Sequence, residues 1–152
     1  MARRLSDKPC SVFESIGLFL EDPLEPGRWD YDCTPVGATT FASTGGDGVH
    51  FSALAGGVIV MTVPMQWADP NHVLGESLGE FLALGCRTGY FGLEQLAYQR
   101  AKTIEVLQQS SPPGDSLLDG IIATFSLRPW PDVAGRLAEL ATTHAEKVRE
   151  RR

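Results

Sequence analysis

The chain is poor in the residues that build metal and redox centres. Its three cysteines, Cys10, Cys33 and Cys86, are widely spaced and form no CxxC pair, which removes the usual zinc-binding and disulfide-exchange spacings. The histidines occur singly, with no HxH or HxxxH pattern, whereas a metal site needs three or four converging ligands. Neither a metal nor a cofactor is expected. Long apolar runs are also missing. The longest, Gly57–Pro64, is far short of the roughly 20 residues a membrane helix requires, so no membrane association is expected. The opening MARRLSDKPC has no long apolar segment, so a secretory signal is not expected either. Basic residues are outnumbered, 13 Lys and Arg against 19 Asp and Glu, for a net charge of −6. The basic clusters, at 2–4 and 147–152, lie at the two ends. Nucleic-acid recognition needs a basic face, so none is expected. Unpaired thiols fit a reducing compartment, and the expected location is the cytoplasm.

What is present describes an ordinary globular chain. The 152 residues are 43% hydrophobic and 21% charged, enough for one domain with one core. Thr39–Gly48 reads TTFASTGGDG and VHFSALAGGVIVMTVPM follows. This is strand, tight turn, strand, Gly-Gly turn, strand. β-Branched and aromatic residues favour the first strand, and Gly45-Gly46-Asp47-Gly48 supplies the positive φ angles of a hairpin turn. Val49–Leu54 alternates, placing Val49, Phe51 and Ala53 on one face and His50, Ser52 and Leu54 on the other. VIVMTV at 58–63 is almost wholly apolar, as in a central strand covered on both sides. The expected meander has strands near 39–43, 49–54 and 58–63.

Helices are expected on either side of it. Ser11–Leu20 has helical spacing weakened by Gly17, with a strand as the alternative. A helix over Leu74–Leu84 is expected, its regular part starting at Ser77, where Ser77 and Glu80 have capping-box spacing. Tyr90–Gln109 reads as one long amphipathic helix. SSPPGD at 110–115 breaks it. Ser116–Phe125 follows with Asp115 as N-cap, and Asp132–Arg151 is the last helix, with Val133, Leu137, Leu140, Ala141 and His144 on one face. Strands followed by helices argue an α+β fold. The domain is 1–152, with a core at about 10–109 and a C-terminal helical extension at about 115–151.

Candidate chemistry is sparse. Asp47 and His50 are close in sequence, which permits an acid–base or ligand site. Ser43 or Ser52 would be its nucleophile. The glycines do not make a phosphate loop, because a strand follows them and no Lys is present. Cys86 reads as a small buried residue rather than a nucleophile. His72 and His144 read as surface or helix-face residues. Trp29, Trp67 and Trp130 sit beside loop prolines or acids, where an aromatic residue is a core lid or an interface anchor, and the lid is the favoured reading.

The segments FASTGGDGVHFSALA, GVIVMTVPM and ESLGEFLALG together resemble the SUKH superfamily, which includes bacterial toxin-immunity proteins and relatives of a yeast cell-wall-synthesis regulator. In that family a DGxGD segment precedes a strand and an SFxEFL helix closes the sheet. Gly45–Gly48 and Ser77–Leu82 hold the corresponding places, and the likeness spans about 39–85. The resemblance implies a non-enzymatic binding scaffold whose partner is a protein, a basic toxin among the candidates. The partner surface would be the acidic and aromatic loops, with Glu21, Asp22, Glu25, Trp29, Asp30 and Asp32 in one cluster and Trp67, Asp69 and His72 in another. Two alternatives stay open: a small enzyme or ligand-binding protein using Asp47 and His50, and a structural homo-oligomer such as a homodimer through the C-terminal helix. On the binding reading, charge reversal at Glu25, Asp30 and Asp32 weakens partner affinity, and more strongly at low salt. Unchanged affinity would remove that patch from the interface.

Overall fold

The computed structural model describes residues 13–21, 31–112 and 116–149. Five strands form one antiparallel sheet with neighbours in chain order: β1 (Phe19–Leu20), β2 (Thr39–Ser43), β3 (His50–Ala53), β4 (Ile59–Thr62) and β5 (Asn71–Gly75). Helices follow: α1 (Leu78–Gly85), α2 (Gln95–Tyr98), α3 (Arg100–Gln109), α4 (Leu117–Phe125), α5 (Val133–Thr143) and α6 (Ala145–Arg149). A 3-10 turn at Phe91–Glu94 leads into α2. The fold is α+β, with a helical C-terminal region. No helix among the described residues is long and apolar enough to cross a membrane.

The central hairpin follows from turn chemistry. Gly45, Asp47 and Gly48 all have positive φ, at 83°, 54° and 71°, which Gly and Asp tolerate better than most residues. Beyond the turn, β3 and β4 are buried on both faces. Residues directly opposite one another in antiparallel strands share a face. One row runs Phe51, Met61, His72. Its Phe51 packs on Phe81 of α1 with ring centroids 4.9 Å apart. The opposite row runs His50, Thr62, Asn71. Segment 31–38 reaches across it: the Tyr31 ring stacks on His50 at 5.5 Å, and Asn71 Nδ2 donates to the Cys33 carbonyl at 2.8 Å.

Two strands lie outside the expected meander. Phe19–Leu20 belongs to the segment read as a helix, and takes the strand that was its alternative. Among its described residues 13–15 are helical, and the helix stops there because Gly17 takes φ 89° and turns the chain to pair Phe19 with Ser43. β5 takes Asn71–Gly75, including Leu74, which the helical pattern had claimed. Leu74 falls at a register shift opposite Ile59 and Val60 and is fully buried.

The helices also differ from the sequence pattern. The 90–109 stretch is interrupted at Gln99, where φ is −135° and ψ 58°. No proline, glycine or cap residue marks that break. Its first turn is tightened because Tyr90 is drawn into the core, its hydroxyl donating to the Leu82 carbonyl at 2.8 Å. The last helix is interrupted at His144, whose ring turns inward to Glu76 at 3.1 Å. Ser116, not Asp115, caps α4, accepting from the Asp119 amide at 3.1 Å. Asp115 lies outside the described residues. The Ser77 hydroxyl caps α1 as expected, accepting from the Glu80 amide at 3.1 Å. The Glu80 carboxylate returns to the Glu76 amide at 3.0 Å, one residue earlier than a capping box requires.

The C-terminal helices share the core of the sheet. Trp130, Val133, Leu137 and Leu140 belong to the same buried cluster as Phe51, Met61 and Leu84. Gly85 sits at its tightest point. A Cβ there would stand 1.9 Å from a Tyr90 ring carbon, so the ring must shift. Gly85→Ala is therefore expected to destabilise the protein by about 1–3 kcal/mol. This would be read as a lower urea midpoint at unchanged slope.

Candidate functional site

The surface of greatest interest starts where β4 ends. The loop 63–70 is closed at its base, with the Val63 amide donating to the Pro70 carbonyl at 2.7 Å. It tightens again through the Gln66 amide to the Val63 carbonyl at 3.0 Å. The Gln66 side chain then donates to the Ala97 carbonyl of α2 at 3.0 Å. Those bonds hold the backbone while its apolar side chains face water. Met65 is 68% exposed, Trp67 84%, and Tyr98, next to Ala97, 47%. Three large apolar groups are thus carried on two backbones joined by one amide. The lid reading of Trp67 is overturned, since it covers nothing. Trp130 is the lid: it is buried, and its indole N–H donates to the Glu80 carbonyl at 2.9 Å.

Trp67 is flanked by Asp69, also exposed. His72 is not part of that exposed surface. It sits on β5 with 8% of its area accessible, because its row of the sheet faces the helices. The surface half of the surface-or-helix-face expectation is thereby corrected for both: His144 is equally buried, at the end of the helix face that carries Val133, Leu137 and Leu140, and is bonded to Glu76. Asp32 is exposed near the start of the segment that crosses the other face. Asp22, Glu25, Trp29 and Asp30 lie outside the described residues.

Asp47 and His50 take different environments. Asp47 is exposed on the turn. His50 is fully buried and its Nδ1 lies 2.7 Å from the Gly48 carbonyl. A carbonyl only accepts, so Nδ1 carries the proton. Burial pulls the ring below its ordinary value of 6.5, against the opposing influence of that bond and of Glu21. Burial lowers His72 in the same way; Asp69 opposes this and Arg100 reinforces it. Glu94 is pushed up, first by burial and then by the charge of Asp47. Burial likewise raises the Cys86 thiol, which rests 3.9 Å from the Tyr90 hydroxyl and reads as structural.

A second polar group lies where α1 meets α5. Arg136 bridges Glu80 at 3.1 Å, Glu139 at 3.1 Å and Glu76 at 3.5 Å. The bond from His144 is the main reason the exposed Glu76 carboxyl lies below its usual value. These contacts hold α5 against the sheet. Among the described residues no three His, Cys, Asp or Glu side chains converge on a metal position.

Sequence reasoning found Trp67 and Asp69 but missed Met65, Tyr98 and Arg100. Exposure of an apolar residue leaves no periodic signature when it falls in a loop or at a helix end. Comparison with known proteins adds no neighbour: no family model, curated protein or solved structure matches the chain.

The buried histidines set a pH dependence. Both have folded values below 6.5, so the unfolded chain binds protons that the folded chain refuses as pH falls. Stability is full above the ordinary imidazole value and is lost as pH drops below about 6.5. His72→Gln is expected to flatten that loss. Urea unfolding between about pH 7.5 and 5 measures it, and an unchanged slope in the variant would remove His72 as a source.

Proposed function

We propose that this chain is a protein-binding module without a chemical step of its own, of the kind found among SUKH toxin-immunity and regulatory proteins, acting in a bacterial cytoplasm. The observation that carries the reading is Trp67, 84% exposed on a loop whose backbone is pinned to α2. Tryptophan is the side chain that interfaces use most heavily as an anchor. A pre-ordered loop loses little further freedom when a partner arrives. Met65 and Tyr98 extend the apolar patch, and Asp69, with Asp32 elsewhere, supplies acidic charge suited to a basic partner such as a toxin. The alternative reading at Asp47 and His50 is less well supported, because His50 is sealed from solvent and its Nδ1–H is committed to the Gly48 carbonyl.

Tagged wild-type protein and the Trp67→Ala variant, purified from the native source at low salt, test this. One stoichiometric protein partner is expected with the wild type. The variant should bind that purified partner more weakly by about 2 kcal/mol or more, while its own unfolding midpoint stays within about 0.5 kcal/mol of the wild type. A partner held equally well by the variant would sink the assignment of this surface. Wild-type protein that self-associates and becomes monomeric on Trp67→Ala would assign the patch to a homodimer instead.

A further inference from the structure

Beside the Trp67 loop a cavity of about 420 Å³ opens between β5, the start of α3, and α5 with α6. Ala141 and Ala145 leave room on the helix side, while Asp69, His72, Arg100 and Arg149 supply the charged and polar lining. Its volume falls in the range of small-molecule sites.

The hydrogen-bond inventory of this cavity is one-sided. An Arg100 terminal nitrogen lies 3.4 Å from His72 Nδ1. A guanidinium only donates, so this contact takes Nδ1 as the acceptor and places the ring proton of the neutral histidine on Nε2, while a bond from the ring to the Asp69 backbone carbonyl favours the protonated ring. That Nε2 is buried and has no hydrogen-bond partner, in a side chain that is itself 8% exposed. A buried donor left unpaired is costly. Among the described residues neither Arg100 nor Arg149 forms an ion pair. The Asn71 side chain adds nothing to either side of the balance: its oxygen accepts from Thr62 at 2.7 Å and its nitrogen donates to Cys33. Among the described lining residues Asp69 contributes the one carboxylate, against two arginines, so they carry a net charge of +1 in a chain whose net charge is −6. Burial, reinforced by Arg100, disfavours the charged form of His72 against the pull of Asp69, so the ring offers an N–H without adding a buried charge.

We propose that this cavity is a binding site for a small oxyanion, a carboxylate or a phosphate group, held by Arg100, Arg149 and the Nε2–H of His72. An oxyanion brings acceptors only, matching a lining dominated by donors, and the planar guanidinium suits either ligand in a forked geometry. The proposal does not rest on the protein-binding reading, although Asp69 belongs both to the cavity lining and to the surface that reading uses.

Calorimetric titration of the full chain with inorganic phosphate and, separately, with succinate, against sodium chloride at matched ionic strength, tests the proposal. Saturable one-to-one binding of at least one probe is expected. Phosphate alone would mark a phosphoryl ligand, and succinate alone a carboxylate. Arg100→Gln and Arg149→Gln should each weaken binding by about tenfold or more. Arg128→Gln, outside the cavity, should leave it unchanged. Ring-nitrogen NMR should find His72 in the Nε2–H form and its Nε2 signal displaced on saturation. Arg149 is exposed, so its variant reports on the site even where Arg100→Gln disturbs the fold. No binding of either probe above the chloride control would overturn the proposal. So would binding that survives both substitutions.

Discussion

The guanidinium of Arg87 joins parts of the chain that are far apart in sequence. It follows α1 directly, and one terminal nitrogen donates to the carbonyls of Leu107, Gln108 and Ser110, at 2.9, 3.4 and 3.4 Å. The other donates to the Trp130 carbonyl. The last carbonyls of a helix have no partners within it and carry partial negative charge. One cation therefore satisfies the end of α3 and clamps the loop that delivers Trp130. Seven residues earlier, Glu80 acts in the opposite sense. Its carbonyl accepts the Trp130 indole N–H, and its carboxylate holds Arg136 of α5. Trp130 is thus fixed at its side chain by α1 and at its main chain by the residue just beyond it. Because α1 itself packs on Phe51 through Phe81, the sheet, α1 and the C-terminal helices form one connected structure.

That arrangement explains why so many polar groups are buried in the sheet. With α1 on one face and segment 31–38 reaching over the other, strands β3 to β5 have little contact with water. Polar side chains there must find partners within the protein. Thr62 donates to Asn71, Thr40 and Ser52 bond across β2 and β3 at 3.0 Å, and His50 bonds the turn carbonyl. His50 and Asn71 are therefore best read as internal fastenings that tie the sheet to Gly48 and to Cys33. The proximity of a histidine and an aspartate in the sequence is real, but one is inside the protein and the other outside.

The legible parts of the sequence were those governed by local chemistry. The GGDG turn, the apolar VIVMTV strand, the Ser77 cap and the SSPPGD break each depend on a few adjacent residues, and each reads directly. The two edge elements did not. Phe19–Leu20 is a strand only because Ser43 and Ala42 are there to pair with it. Asn71–Gly75 carries an irregular register that disguises its alternation and places Leu74 where a helical stripe also fits. The interruptions at Gln99 and His144 are tertiary as well: His144 departs from the helix to reach Glu76, 68 residues away. For the candidate surface, the tryptophan was visible in the sequence but its exposure was not, since burial depends on what the rest of the chain leaves uncovered. Arg100 gave no signal, and His72, named only for a partner surface beside Trp67 and Asp69, could not be linked to it, the two being 28 residues apart on different elements.

What distinguishes Trp67 physically is that the fold holds its backbone without using its side chain. Pinning a loop costs conformational entropy, and here the pin is a glutamine amide on a helix carbonyl, 31 residues apart in sequence. A loop needed only as a connection between β4 and β5 would be served by polar residues and a simple turn. Instead VPMQWADP places methionine and tryptophan in water on either side of the pinning residue. Trp130 shows what this fold does with a tryptophan that stabilises it: the ring is buried and its N–H is bonded. Trp67 has the same chemistry and none of that burial. Folding gains little from it, so the advantage of that side chain must lie outside the isolated fold, in contact with another surface.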